Sequence, residues 1–293
     1  MPDVRAHDNI RTITRDDPDY PALLLKTYDP PKELYIRGTL PPADSIYFAV
    51  VGTRLMSPYG KQVTHEIVNE LARAGVVIVS GLALGIDGEA HRAALETRGR
   101  TIAVLGSGID DASVYPSEHR GLSDQIVESS GAVIAEYPPE TSPTKYSFPQ
   151  RNRIIAGMSV GVLVIEAKEK SGALITAQFA LDEGREVFAV PGHVTRETSY
   201  GPHMLIRAGA TLVTRARDIL EELGVTEAPH PTLPTLDGPE AEIFAALGRE
   251  PIHIDALAAT TKLDIAALTS TLAILEVKGL VKNIGGMHFI RIV

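Results

Sequence analysis

A chain of 293 residues, 44% of them apolar, can bury one large core and a smaller one beside it. It has no cysteine, which excludes disulfides, cysteine metal sites and cysteine nucleophiles and fits an intracellular setting; its nine histidines lack metal-ligand spacing. A formal charge of −9 excludes a protein that coats duplex nucleic acid through bulk positive charge. It leaves room for a concentrated basic groove, because phosphate contacts act within a Debye length of roughly 8–10 Å.

The first residues, Met1 to Thr14, are polar and lack the apolar run of a signal peptide, and no stretch approaches the length of a membrane span, so the expected compartment is the cytoplasm. Asp17-Pro18, Tyr20-Pro21, Asp29-Pro30-Pro31 and Pro41-Pro42 make residues 1–44 an irregular, proline-rich arm packed on the core.

Residues 45–224 repeat one pattern: a short apolar run, a turn with Gly, Ser or Pro, then a helix-period segment. The runs are Ile46–Val51, Val76–Val79, Thr101–Leu105, Ala132–Ala135, Val162–Ile165, Val187–Val190 and Thr211–Val213. Nearly continuous apolar strands, with room for a crossover helix between most of them, predict an α/β fold with a doubly wound, mostly parallel, Rossmann-like sheet. Ser57-Pro58 reads as an N-cap with proline at the first helical position, Val63, Ile67 and Leu71 form one stripe, and Gly75 ends that helix. Asp87 is expected to cap the next helix and Ser171 a third.

Residues 225–238, with Pro229, Pro231, Pro234 and Gly238, read as a linker. Residues 239–293 then predict three helices, Glu240–Leu247, Ile254–Thr261 and Asp264–Lys278, and a hairpin turning at Gly285-Gly286: a small C-terminal winged-helix domain. From residue 235 onward it holds five basic residues (Arg249, Lys262, Lys278, Lys282, Arg291) against seven acidic ones. Its third helix offers Ala266, Ala267, Ser270 and Ala273 off the core stripe, with no Arg, Asn or Gln to read bases, which points to protein interaction.

The first loop after a strand is Gly52-Thr53-Arg54. At the carboxyl edge of a parallel sheet its glycine would let backbone approach an anion, and Arg54 would add a phosphate contact. It is neither a G-x-G-x-x-G loop nor a Walker A loop. Ser80-Gly81, Gly106-Ser107-Gly108 and Pro191-Gly192 end other strands and are expected to share one anion cleft with Gly52. Phe148-Pro149-Gln150-Arg151-Asn152-Arg153 supplies phosphate forks and base-edge groups, with Tyr146 and Phe148 placed to stack on bases. Lys168 lies beside the helix that starts at Ser171-Gly172, another phosphate position. Asp87, His91, Asp110, Glu136, Glu166 and His193 are the candidate catalytic groups, but neither G-x-S-x-G nor H-E-x-x-H occurs. Asp87 and His91 read as a capping acid with a neighbouring histidine, and Glu166 as a group that orients an arginine. No catalytic residue, metal or cofactor is expected.

Ser80-Gly81-Leu82-Ala83, followed by Gly85-Ile86-Asp87 and Ala90-His91, resembles the DNA-processing protein A family (DprA, also called Smf). So do Thr101–Gly106 with Gly108 and Asp110, Phe148-Pro149 with Arg151–Gly157, Ser171–Ala177, and Gly184-Arg185 with Val187–Gly192. The resemblance implies a non-enzymatic, usually dimeric protein that binds single-stranded DNA and loads the recombinase RecA during natural transformation. It places Gly52, Thr53, Arg54, Arg151, Asn152, Arg153 and Lys168 in the DNA pocket; many members also begin with a helical domain, for which residues 1–44 leave little length. The alternative is a nucleotide-binding enzyme of phosphoribohydrolase type, whose Gly-Gly-x-Gly-Thr-x-x-Glu string is missing here.

Overall fold

The computed structural model describes residues 10–42, 44–225, 236–248 and 250–291. The chain divides into two compact units, Met1–Ala228 and Pro229–Val293. Residues 226–235, most of the expected linker, lie outside the described residues.

In chain order the first unit runs β1 (Ile10–Thr14), α1 (Ala22–Leu25), β2 (Glu33–Gly38), β3 (Tyr47–Val51), α2 (Pro58–Arg73), β4 (Val77–Ser80), α3 (Ile86–Glu96), β5 (Thr101–Leu105), α4 (Arg120–Glu128) and β6 (Ala132–Ala135). It continues with α5 (Ser147–Met158), β7 (Gly161–Val164), α6 (Gly172–Asp182), β8 (Glu186–Ala189), α7 (Tyr200–Arg207), β9 (Thr211–Leu212) and α8 (Ala216–Glu222). The described strands form one sheet of order β1-β2-β6-β5-β4-β3-β7-β8-β9. Strands β6 to β9 along that order are parallel, so β3 is the hub: the chain steps outward through β4, β5 and β6, then returns to lay β7 on the other flank of β3. The reversal of strand order lies between β3 and β7, and their carboxyl ends open the crevice where such sheets receive ligands.

The apolar runs are buried because both faces of the sheet are covered. In β3, Tyr47, Ala49 and Val51 enter one core with Ile154, Ile155 and Met158 of α5 and Ala173 and Ala177 of α6. Phe48 and Val50 point the other way, against Ile67 and Leu71 of α2, Ile86 and Ala90 of α3, and Ile219 of α8. A strand splitting its side chains between two cores must be apolar at every position.

The N-terminal segment differs from the irregular arm expected over residues 1–44. Strand β1 pairs antiparallel with β2, and β2 pairs antiparallel with β6, so this segment extends the main sheet. The prolines stand before and after these strands, never inside them, so no ladder donor is lost.

The second unit holds α9 (Pro239–Ala246), β10 (Ile252–His253), α10 (Ile254–Thr261), α11 (Ile265–Val277), β11 (Val281–Gly285) and β12 (His288–Arg291), with a sheet of order β10-β12-β11. Ile243, Leu257, Leu268, Leu272, Leu275 and Phe289 close its own core. Asp264 caps α11 by accepting from the Ala267 amide at 2.9 Å. This is the three-helix, winged arrangement anticipated from the sequence. Among the described residues no single helix is long and apolar enough to cross a membrane.

Candidate functional site

Where β3 and β7 end, a cleft of about 700 Å³ opens, and Arg54, Lys145, Arg151, Lys168 and Lys170 line it against a single carboxylate, Asp87. Most of it comes from the loop after β3, the stretch from Pro143 into α5, and the stretch from Lys168 to the start of α6, with Ala83, Asp87 and Tyr115 beside them.

The loop after β3 is stitched down before it reaches Arg54. Thr53 N donates to Glu166 O at 2.7 Å, and Thr53 O accepts from Ile86 N at 3.2 Å. Gly52 is needed for packing: a Cβ there would stand 2.6 Å from Ile86 Cγ1. Gly52 and Thr53 also line the cleft. Arg54 itself is exposed and lies 5.4 Å from the Phe148 ring centroid, a cation–π contact that leaves its N–H groups free to face the cleft. Tyr115 packs on the other side of that cluster, 5.4 Å from Phe148.

A second carboxylate lies at the start of α2. Glu166, buried at the end of β7, accepts from Ser57 N at 2.9 Å, from Ser57 Oγ at 2.7 Å and from Thr198 Oγ1 at 3.0 Å. Gly60 makes room for it, since a Cβ there would fall 2.2 Å from Glu166 Oε2. Ser57 caps α2, its Oγ accepting from Gly60 N at 3.0 Å, and Glu166 holds that cap in place and orients no arginine, contrary to expectation.

Helix α5 carries the Arg-Asn-Arg run, and its period separates the two arginines. Arg151, only 5% exposed, faces the sheet and forms the floor of the cleft. It donates to Gly81 O at 2.7 Å and to Val104 O, and its Nε reaches Asn152 Oδ1 at 3.3 Å. Asn152 Nδ2 donates to Gly172 O at 3.1 Å, tying α5 to the start of α6. Arg153 turns away. It is held bidentate by Glu136 at 2.6 and 2.7 Å and donates to Asp29 O at 2.9 Å, so it latches the N-terminal segment and does not line the cleft. Residues two apart on a helix point about 200° apart, which overturns the placement of Arg153 in the pocket.

Asp87 is not a helix cap. Gly85, at φ 79°, holds the N-cap position of α3, while Asp87 Oδ2 accepts from Gly81 N at 3.0 Å. Burial pushes its carboxyl above the ordinary aspartate value, and the charge of nearby Arg151 pulls against that shift. Burial likewise lowers Arg151, to about 10, while Asp87 raises it and Arg54 lowers it further; the guanidinium remains cationic at neutral pH.

Of the other expected contributors, Ser171 and Gly172 line the cleft at the N-terminus of α6, with Ser171 Oγ accepting from Ala173 N at 3.3 Å. Lys168 lines it too, with Nζ 2.7 Å from Glu197 Oε2. Ser80 does not reach it: the side chain is buried and its Oγ donates to Val50 O at 2.7 Å. Gly81 lies under the Arg151 guanidinium, in a small adjoining hollow with Leu84, Tyr115 and Phe148. Gly106 packs against Ser147 and Phe148, and Gly192 against Ser199, so neither contributes to the cleft. Phe148 lines the cleft as anticipated, whereas Tyr146 is 72% exposed and stays outside its lining, beneath Lys145. Lys145 and Lys170 were missed; each sits within two residues of a segment singled out from the sequence.

The profile of the family described as DNA recombination-mediator protein A matches residues 11–224, and that of the DprA winged helix domain matches residues 227–287. Protein Smf of Escherichia coli (strain K12) is 41% identical over 288 residues, covering 95% of this chain and 76% of that protein. DNA processing protein DprA of Bacillus subtilis (strain 168) is 46% identical over 215 residues, covering 73% of this chain and 71% of the relative. Among solved structures, DNA processing protein A from Streptococcus pneumoniae superposes with a TM-score of 0.68 at 42% identity, over 74% of this chain and 75% of that one. The same protein from Helicobacter pylori, solved for its single-stranded DNA binding mode, gives a TM-score of 0.66 at 31% identity, over 74% of this chain and 97% of that one.

Proposed function

The chain belongs to the DNA recombination-mediator protein A family, and from that premise we propose that its cleft holds the backbone of single-stranded DNA, which the protein shields and passes to the recombinase RecA. The observation that carries this reading is the convergence of Arg54, Lys145, Arg151, Lys168 and Lys170 on one cleft of a chain whose net charge is −9. Spaced cations match spaced phosphates, and the amides at the start of α6 add donors that carry no counter-charge. Phe148, with Arg54 above its ring, offers a face for an unstacked base, which a duplex does not expose. The relative from Helicobacter pylori, described for its binding of single strands, supports the same assignment.

Binding without chemistry is supported by what the acid–base candidates already do. Asp87 holds Gly81, His91 meets Thr101, Glu136 holds Arg153, and Glu166 holds Ser57. Natural transformation, a homodimeric state and a cytoplasmic setting extend the reading by kinship with the family.

Fluorescence anisotropy with labelled single strands and duplexes across a salt series tests it. Single strands should bind more tightly than duplexes, with affinity falling steeply as salt rises. Equal or weaker binding of single strands would overturn the reading. For the transfer step, RecA filament formation on coated single strands should accelerate when the protein is added, and an unchanged lag would remove that part.

A further inference from the structure

Among the described residues, the cations lining the cleft differ in one respect. Arg54, Lys145 and Lys170 pair with no carboxylate, whereas Lys168 Nζ lies 2.7 Å from Glu197 Oε2. Two exposed side chains meeting on a surface would ordinarily mean little. Here the backbone arranges the meeting. Glu197 opens the turn between β8 and α7, and that turn is docked onto the segment leaving β7 immediately beside the pair. Ala167 N donates to Thr198 O at 2.7 Å, and Gly201 N donates to Ala167 O at 2.8 Å. Thr198 Oγ1 donates to Glu166 Oε1 at 3.0 Å, and Glu166 is itself anchored on Ser57. These bonds hold the residues next to Glu197 against the residues next to Lys168. The carboxylate and the ammonium remain in solvent, with side chains 79% and 56% exposed, so a competing anion can reach the lysine directly.

We propose that Glu197 is a displaceable internal counter-anion of Lys168, which a phosphate of the bound strand must evict, and that it tempers the grip of the cleft so that the strand can be released. The inference rests on the reading that this cleft holds single-stranded DNA. A phosphate that replaces Glu197 leaves behind a free carboxylate, which recaptures a cation from solution and offsets the counterion released from the DNA. Lys168 thus contributes less to affinity, and less to its salt dependence, than an unpaired lysine would.

The test is an anisotropy titration of a labelled oligothymidine with the full chain across a salt series, comparing wild type with Glu197→Gln, Lys168→Gln, the double variant, and Glu169→Gln as a control for net charge. Glu197→Gln should bind roughly two- to fivefold more tightly at low salt, the scale of an exposed ion pair. Its log–log salt slope should steepen by about 0.7, the value for one phosphate contact on a single strand. In the Lys168→Gln background, Glu197→Gln should add nothing beyond the small gain seen with Glu169→Gln. Wild-type binding together with an unchanged affinity and slope in Glu197→Gln overturns the proposal and leaves the cleft reading standing. So does a gain that persists without Lys168. Failure of the wild type to bind any single strand removes the cleft reading, and the proposal with it.

Discussion

Asp87 and Arg151 hold Gly81 from both sides, the carboxylate taking its N–H at 3.0 Å and the guanidinium its carbonyl at 2.7 Å. Arg151 extends the hold to Val104 O, so one buried cation ties the exit of β4 to the end of β5. Replacing it strands two carbonyl acceptors and leaves Asp87 without its compensating charge. Arg151→Met should therefore lower stability by roughly 3 kcal/mol, read as a lower urea midpoint. A loss below about 1 kcal/mol would mean that the arginine is a ligand group and not a structural pin.

Arg54 and Arg153 should separate cleanly. Arg54→Ala removes an exposed cation that pairs with no carboxylate among the described residues, so stability should change by less than about 0.5 kcal/mol. Affinity for single strands should fall about tenfold or more, and the salt slope should flatten by about 0.7. Arg153→Ala should do the reverse: the slope holds, while loss of the Glu136 and Asp29 contacts costs roughly 1–2 kcal/mol. Matching salt slopes for the two variants would put Arg153 back in the cleft.

Gly85 supports the Arg54 loop from below. Its φ of 79° and ψ of −129° suit glycine, and a Cβ would stand 2.3 Å from Thr53 O and 2.7 Å from Arg54 O. Both obstacles are backbone, which cannot swing aside. Gly85→Ala should cost roughly 2–3 kcal/mol and weaken DNA binding with it. A variant with wild-type stability would contradict the packing described for this loop.

Stability should also fall with acid through His91. The ring is wholly buried, its Nδ1 faces Thr101 Oγ1 at 2.7 Å, and that hydroxyl donates to Ile78 O at 2.8 Å, which places the proton on Nδ1. Burial lowers its pKa from 6.5 to about 3. As pH drops below 6.5 the unfolded chain takes up the proton first, so stability present near neutrality is lost as pH approaches 3. The full span corresponds to up to roughly 5 kcal/mol. Urea midpoints of wild type and His91→Asn at pH 7, 5 and 4 should converge as the wild type weakens; a constant gap would exclude this origin.

The parallel sheet was legible because strands such as β3 and β5 are buried on both faces and so carry no charged residue to blur the run. Strands β1 and β2 escaped notice for the opposite reason: each is covered unevenly, with Arg11, Thr12 and Arg37 among its residues, and the prolines between them drew attention to irregularity. At the site, strand-end loops were found because glycine and serine mark them. Their tasks were not, because a glycine packed on a neighbouring side chain, as Gly106 is on Phe148 and Gly192 on Ser199, looks in sequence like one shaped for a phosphate. The Arg-Asn-Arg run misled once it was read apart from Ile154-Ile155-Ala156; joined to them it is a helix, and a helix cannot aim both arginines one way.

The buried carboxylate of Glu166 has a consequence for what the protein can sense. With Glu166 seated against Ser57 at the start of α2, the groups that face the cleft are Arg54, Lys145, Arg151, Lys168 and Lys170 together with the start of α6. On the proposed reading, a metabolite-sized phosphate would meet one or two of those contacts at a time, and affinity should rise with the length of the strand offered.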